Sequence, residues 1–301
     1  MAKKRVSFIG LGVMGTCMAK NLVKKGFDLT VYDVMEKPME ELQSLGAKSA
    51  DTCREAARMS DVVIAMVRDD SQIDEVIYGE NGVWEGAREG SIFVISSTID
   101  PLHCQRIAAE GKEKGIRFLD APVSGAKPGA EAGTLTIMVG GNKRVFEECR
   151  PIFEAMGKNI FYLGSAGMGE TCKLVNNFLH ILNLAVLSEG IALARRVGLE
   201  TETLLNVVRV SSGGSWAVQN WDLIQELVKE YCDGKKGPLW LGMQKDMALM
   251  LKMAKDVGQL VPIAGLVSQL DTFRVFPGVT RSFYDYSPSW TEHGTSHEGN
   301  R

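Results

Sequence analysis

Through its first half the chain alternates short runs of β-branched and aromatic residues with stretches whose apolar positions recur at helical spacing. This alternation predicts a parallel sheet covered by helices. VSFIG (6–10), LTVYD (29–33), DVVIAMV (61–67), SIFVIS (91–96), FLDAPV (118–123), TLTIMVG (134–140) and IFYLG (160–164) are the predicted strands. Helices are predicted near 14–25, 37–45, 101–114 and 143–156, with Pro101 suited to a first helical turn. Beyond Gly167 the β pattern nearly vanishes, and helical spacing runs over about 169–197, 201–211, 215–231 and 242–257. The expectation is an α/β domain over 1–165 and an all-helical domain over 166–301, divided at the flexible segment GSAG (164–167). From Pro277 the chain is polar, rich in Ser and Thr and without period, which reads as a tail draped on the surface or poorly ordered.

A length of 301 residues suits two domains, each with its own core. The net charge of −3 and the pI near 5.9 argue against a nucleic-acid footprint. Six cysteines (17, 53, 104, 149, 172 and 232) lie scattered without metal or disulfide spacing, so each reads as a small buried hydrophobe in a reduced, cytoplasmic setting. Lys3, Lys4 and Arg5 precede an apolar stretch that breaks at Gly10, which does not make a secretory signal. The long apolar run after Lys173 is interrupted by Asn176, Asn177, His180, Asn183 and Glu189 and reads as a core helix, not a membrane span. His293 and His297 have metal-like spacing but no carboxylate partner, so solvated histidines are expected there and no metal site.

The run GLGVMG (10–15) follows a predicted strand and opens a predicted helix, the context in which a G-x-G-x-x-G turn binds a dinucleotide. Gly10 would allow the tight turn, Gly12 the close approach of backbone to pyrophosphate, and Gly15 the packing of helix on strand. Unpaired amides at the helix N-terminus would receive the phosphates. Asp33, at the end of the second strand, stands about where an acidic residue would accept the ribose hydroxyls. The alternative for Asp33 is a turn residue or helix cap ahead of Pro38. NAD is expected over NADP, because Asp33 would repel a 2′-phosphate and no Arg directly follows it, although Lys37 is near. These features predict a Rossmann-type dinucleotide-binding domain followed by the helical one.

Lys173 and Asn177, in GMGETCKLVNN (167–177), lie four apart and therefore on one helical face. Leu174, Val175, Phe178 and Leu179 mark that helix as mostly buried, where an unpaired ammonium is costly. Burial also draws a lysine toward the working range of a general acid or base. An ammonium and a carboxamide so placed can move a proton and position a substrate.

Four ordered stretches resemble the β-hydroxyacid dehydrogenases, the family of 3-hydroxyisobutyrate dehydrogenase, tartronate semialdehyde reductase and 2-(hydroxymethyl)glutarate dehydrogenase. They are FIGLGVMGTCMAKNLVKKG (8–26), SSTIDP (96–101), DAPVSGAKPGAEAGTLTIMVGG (120–141) and GMGETCKLVNN (167–177). SSGGSW (211–216) and KDMAL (245–249) are similar too, and coverage runs from residue 5 to about 265. The resemblance implies that Lys173 is the catalytic lysine and that Asn177 helps to hold the substrate. It implies a substrate-carboxylate loop at Ser124, Gly125 and Ala126. It places Met14, Val67, Arg68, Gln72, Thr98 and Lys245 at the cofactor, with Thr98 beside the nicotinamide ribose.

The chain departs from the family's pattern at Ala126, where a second Gly is usual, and at Val67-Arg68, where Leu-Pro is common. The tail departs as well. Lys127, just beyond the carboxylate loop, is open to two readings: a solvated loop residue, or a contact to a second anionic group on the substrate. Trp216, Trp221 and Trp240 are candidates for either core or cleft closure, and His180 for a structural histidine. The expected reaction is reversible hydride transfer between NAD and the hydroxyl-bearing carbon of a short β-hydroxy acid or its semialdehyde, in a homodimer or homotetramer. The alternatives are a non-catalytic nucleotide-binding module of the same fold, an imine or semialdehyde reductase on the same scaffold, and a sugar-phosphate oxidative decarboxylase. The last needs a longer second domain and a phosphate-binding basic cluster.

Overall fold

Runs such as VSFI, VVIA and IFVI are apolar at nearly every position, and such a strand is stable only where helices cover both faces of its sheet. The structure, a computed structural model, describes residues 4–232 and 238–269 and divides into two compact units, Met1–Val175 and Asn176–Arg301. In the first unit the strands are β1 (Val6–Ile9), β2 (Leu29–Tyr32), β3 (Lys48–Ser49), β4 (Val62–Ala65) and β5 (Ile92–Ile95). They continue with β6 (Arg117–Asp120), β7 (Val123–Ser124), β8 (Leu135–Gly141) and β9 (Gly157–Tyr162). The order is β3-β2-β1-β4-β5-β6-β8-β7, with β9 beside β8. Pairing is parallel from β3 to β6, whereas β8 runs antiparallel to both β6 and β7.

The helices of this unit are α1 (Val13–Lys24), α2 (Glu36–Ser44), α3 (Cys53–Met59), α4 (Asp70–Tyr78), α5 (Val83–Gly86), α6 (Pro101–Glu113), α7 (Ala126–Ala132) and α8 (Lys143–Met156). Alternate strand residues serve opposite faces. Val6, Phe8 and Ile64 join Met18 and Leu22 of α1 and Phe153 of α8 in one buried cluster. Ile9, Val63 and Phe93 join Ile73 of α4 and Ile107 of α6 in the other.

Three features differ from expectation. The sheet is not wholly parallel, because β7 and β8 form an antiparallel extension. The predicted strand 118–123 is two strands, broken at Ala121-Pro122, where Pro122 has no N–H for a ladder. The short helices α3, α4, α5 and α7 and the two-residue strand β3 were not predicted.

The second unit begins inside α9 (Met168–Arg196), whose first turns belong to the first unit. It continues with α10 (Thr201–Arg209), α11 (Trp216–Gln219), α12 (Trp221–Cys232), α13 (Pro238–Asp256) and α14 (Pro262–Gln269). The predicted helix 215–231 is two helices meeting at Asn220, and α14 lies beyond the last predicted one. The core joins Leu184 and Ile191 of α9 to Leu205, Val218, Trp221 and Ile224. By length and composition alone α9 could cross a membrane, yet it supplies core residues to both units. The tail from Pro277, with His293 and His297, lies outside the described residues, as does the side chain of Trp240.

Candidate active site

Because β1 lies between β2 and β4, the strand order reverses beside it, and the carboxyl ends of strands at such a point are where open α/β sheets bind ligands. Gly10 leaves β1 with φ +92°, and a Cβ there would collide with the Met66 carbonyl. A Cβ on Gly15 would collide with the Gly10 carbonyl, which is the close packing of α1 on the loop. Gly12 is the opposite case: nothing lies within 4 Å of where its Cβ would stand. It is the N-cap of α1, and no side chain caps that end. Met14 is half-buried against the core.

Asp33 takes the turn role weighed as its alternative and adds a brace to the glycine loop that the sequence did not suggest. Its Oδ2 accepts the Leu11 N–H at 2.5 Å and its Oδ1 the Met35 N–H at 2.8 Å. It thus ties the end of β2 to the glycine loop, and each oxygen keeps a second lone pair. After β4, the Val67 N–H donates to Ser97 Oγ at 2.7 Å, and the Arg68 N–H to Gln72 Oε1 at 2.9 Å. The Arg68 guanidinium is exposed and pairs with Asp69 at 2.8 Å. Thr98, half-buried, sits in the loop that follows β5. An open Gly12, an uncapped helix end and a carboxylate at the second strand together fit a dinucleotide.

Ser124 ends β7, and the next two residues take backbone conformations that L side chains rarely adopt. Gly125 has φ +137°, and Ala126 has φ +51°, in the left-handed region. They begin α7, which is anchored to α1 by the buried Asn21 Nδ2 donating to the Ala130 carbonyl at 2.6 Å. Lys127 is half-buried on this short helix.

The start of α9 is fixed by two carboxylates inside the first unit. Asp120, wholly buried at the end of β6, accepts the Gly167 N–H at 2.8 Å and the Glu170 N–H at 3.0 Å. Burial pushes its carboxyl up, against the opposing pull of those amides. Cβ atoms on Gly140 or Gly169 would collide with this carboxylate, so the glycines are needed for its seat. Glu170, also wholly buried, accepts the Ile99 N–H at 3.2 Å. One turn further, Lys173 is only 9% exposed.

Within the second unit Asn177 and Lys245 converge on one acid. Asn177 Nδ2 donates to Asp246 Oδ2 at 2.6 Å, and Lys245 Nζ lies 3.2 Å from Asp246 Oδ1. Asn176 Nδ2 donates to Asn177 Oδ1 at 3.1 Å. His180 stacks edge-on against the half-exposed Trp216, with ring centroids 5.3 Å apart, whereas Trp221 is core. Among the described residues no group of His, Cys, Asp and Glu could hold a metal ion.

Comparison with known proteins matches both units. Residues 5–164 match the family described as the NAD binding domain of 6-phosphogluconate dehydrogenase. Residues 167–273 match the NAD-binding region of NADP-dependent 3-hydroxyisobutyrate dehydrogenase. A 2-hydroxy-3-oxopropionate reductase from Escherichia coli is 38% identical over 88% of this chain and 89% of its own length. The chain belongs to the β-hydroxyacid dehydrogenase family. It is a nicotinamide-dependent oxidoreductase of hydroxy acids. An NAD-dependent L-serine dehydrogenase from Pseudomonas aeruginosa is another β-hydroxyacid dehydrogenase relative, 37% identical over 89% of this chain and 91% of its own length. The 3-hydroxyisobutyrate dehydrogenase of Mycobacterium tuberculosis, solved with L-serine, superimposes with a TM-score of 0.79 at 27% identity, covering 89% of this chain and 92% of that one.

Asp120, Glu170 and Asp246 were not picked out from sequence, although each stands inside a quoted motif. A carboxylate satisfied by backbone amides looks the same in sequence as one in solvent. The glycines around Asp120, at positions 140, 167 and 169, were the available signal.

Proposed function

We propose that this dehydrogenase oxidises a short β-hydroxy acid with NAD, or reduces the matching semialdehyde, with Lys173 as general acid and base. When bound, the nicotinamide supplies the hydride chemistry. In oxidation a neutral Lys173 takes the hydroxyl proton as the carbon–hydrogen bond yields its hydride. In reduction the ammonium returns a proton to the carbonyl oxygen. Asn177 orients the substrate, and the loop of Ser124, Gly125 and Ala126 receives its carboxylate through backbone amides. Gly10, Gly12, Met14, Gly15, Asp33, Val67, Arg68, Gln72, Thr98 and Lys245 are assigned to the cofactor. The assembly is a homo-oligomer, and the setting cytoplasmic.

The observation that carries this reading is the burial of Lys173, 9% exposed, on a helix whose first turn is pinned by two buried carboxylates. A module that only bound nucleotide would have no need of it. Asp33 at the end of β2 supports NAD over NADP. L-serine joins 3-hydroxyisobutyrate, glycerate, 2-(hydroxymethyl)glutarate, 4-hydroxybutyrate and sulfolactate as a candidate, because two relatives are described with it. Absorbance at the reduced nicotinamide band across that panel, with NAD and NADP, identifies the pair. Lys173→Ala should lower kcat by about 10²–10⁴-fold while NAD still binds. Retention of more than about a tenth of kcat would remove Lys173 from the mechanism.

A further inference from the structure

Two buried carboxylates flank the start of α9, and only Asp120 is accounted for by capping. Its two oxygens take the Gly167 and Glu170 amides, as an acid at a helix N-terminus should. Glu170 is on the helix itself, wholly buried, and reaches out of it to the Ile99 N–H at 3.2 Å. Ile99 is the neighbour of Thr98 in the loop following β5. Glu170 and Lys173 are three apart on α9 and therefore share a face, with Cβ atoms about 5–6 Å apart. A buried negative charge at that range favours the charged form of an amine.

We infer that Glu170 is a positioning residue of the proton-transfer site: it ties the loop 96–100 to the helix that carries Lys173, and its charge opposes loss of that lysine's proton. The inference rests on the reading of Lys173 as acid and base. Among the described residues, the Glu170 N–H donates to Asp120 of β6, the charge of Glu170 acts on Cys104 of α6, and Lys173 shares its helical face. Cys104 is buried, and burial, then the charges of Glu170 and Asp120, hold its thiol well above the ordinary range. Cys104 is thus neutral, so the carboxylates at this end of α9 are Asp120, held by the helix amides, and Glu170, which shares the helical face of Lys173.

Two variants separate charge from tether. Glu170→Gln keeps an oxygen for the Ile99 N–H and removes the charge. Glu170→Asp keeps the charge and shortens the reach. The acid-side limb of kcat/KM for oxidation, measured with NAD and the best substrate of the panel, should move down by about 1 pH unit in Glu170→Gln. The same downward shift should appear in the cofactor-free protein, as the titration of the ¹³C-methylated Lys173 resonance assigned by its loss in Lys173→Arg. Glu170→Asp should leave the limb in place and weaken NAD, read by protein fluorescence, by about tenfold.

A limb and resonance unmoved in Glu170→Gln would overturn the electrostatic role. NAD binding unchanged in Glu170→Asp would overturn the tether. If Glu170→Gln does not fold, the Glu170→Asp limb decides: a limb that moves although the charge is kept would refute the proposal. Failure of the Lys173 reading is a different result, namely turnover surviving Lys173→Ala, and the resonance shift still tests Glu170 in that case.

Discussion

Asp33 is proposed to serve two purposes. Its carboxylate braces the glycine loop through the Leu11 amide, and in the proposed reading it also accepts the ribose hydroxyls. Asp33→Ser with Val34→Arg should therefore shift preference from NAD toward NADP. The neighbouring Val34 is 85% exposed, so an Arg there costs no packing and can meet a 2′-phosphate. KM should rise for both cofactors as the loop loosens, and the ratio of kcat/KM values decides the matter; an unchanged ratio would make Asp33 a brace alone. Lys127 invites a second measurement. If Lys127 takes no part in substrate binding, Lys127→Ala should leave KM unchanged for every substrate. If the ammonium meets a distal anion, the variant should raise KM for 2-(hydroxymethyl)glutarate or sulfolactate by about 1 kcal/mol equivalent, and spare the monoanion 3-hydroxyisobutyrate. Equal effects on both would assign Lys127 to loop shape, since charge pairing needs a partner.

At the scale of elements, the long periodic segments were legible and the helices of seven residues or fewer were not. α1, α6, α8 and α9 lie within a residue or two of their predicted spans, because an amphipathic or buried period over three or more turns outweighs local preference. The four residues of α5 and the seven of α3 and α7 carry too few turns for a period. β8 was legible as a strand but its antiparallel partners were not, since pairing is decided by what packs beside it. The clamp between α4 and α6 was equally hidden. His103, buried, offers Nδ1 to Asp70 at 3.0 Å and Nε2 to Asp74 at 2.9 Å, so both nitrogens must carry protons to satisfy two carboxylates. The hydrogen bond to Asp70 raises the His103 pKa above its usual value despite burial, with Asp74 adding to the rise and Arg106 opposing it. On Asp70, burial pushes the carboxyl up but the His103 and Asp100 hydrogen bonds outweigh it, for a net lowering. The histidine's contribution is complete below about pH 6.5, its unfolded value, and is lost as pH rises through the folded one. The aspartate's is complete above about pH 3.9 and is lost as pH falls through its lowered folded value. His103→Asn should accordingly cost about 2 kcal/mol near pH 6 and much less near pH 9, read from urea midpoints. The same loss at both values would mean the imidazole is neutral and serves only as packing.

For the whole molecule, the question left open by a single chain is what covers α9. One side of this helix supplies Leu184 and Ile191 to the core of the second unit. Another presents Leu179, Val186 and Leu193, which are 53%, 60% and 68% exposed and lie seven residues apart. Residues at intervals of seven return to nearly the same face of a helix, so these form a seam and not a scatter. Single exposed apolar residues need no explanation, but a seam of large ones marks a surface that meets something. A second copy of the chain is the proposed occupant, because these apolar side chains recur along one face, with the exposed Glu189 beside them, and can pair with their own image about a two-fold axis. Light scattering of the full chain should give the mass of a dimer or a multiple of it. Val186→Glu with Leu193→Glu places two carboxylates in the seam and should shift that mass toward the monomer, leaving the far-ultraviolet spectrum unchanged. A monomeric mass for the unaltered chain would refute the proposal, as would an assembly indifferent to both charges, since burying two unpaired carboxylates at one interface costs several kcal/mol.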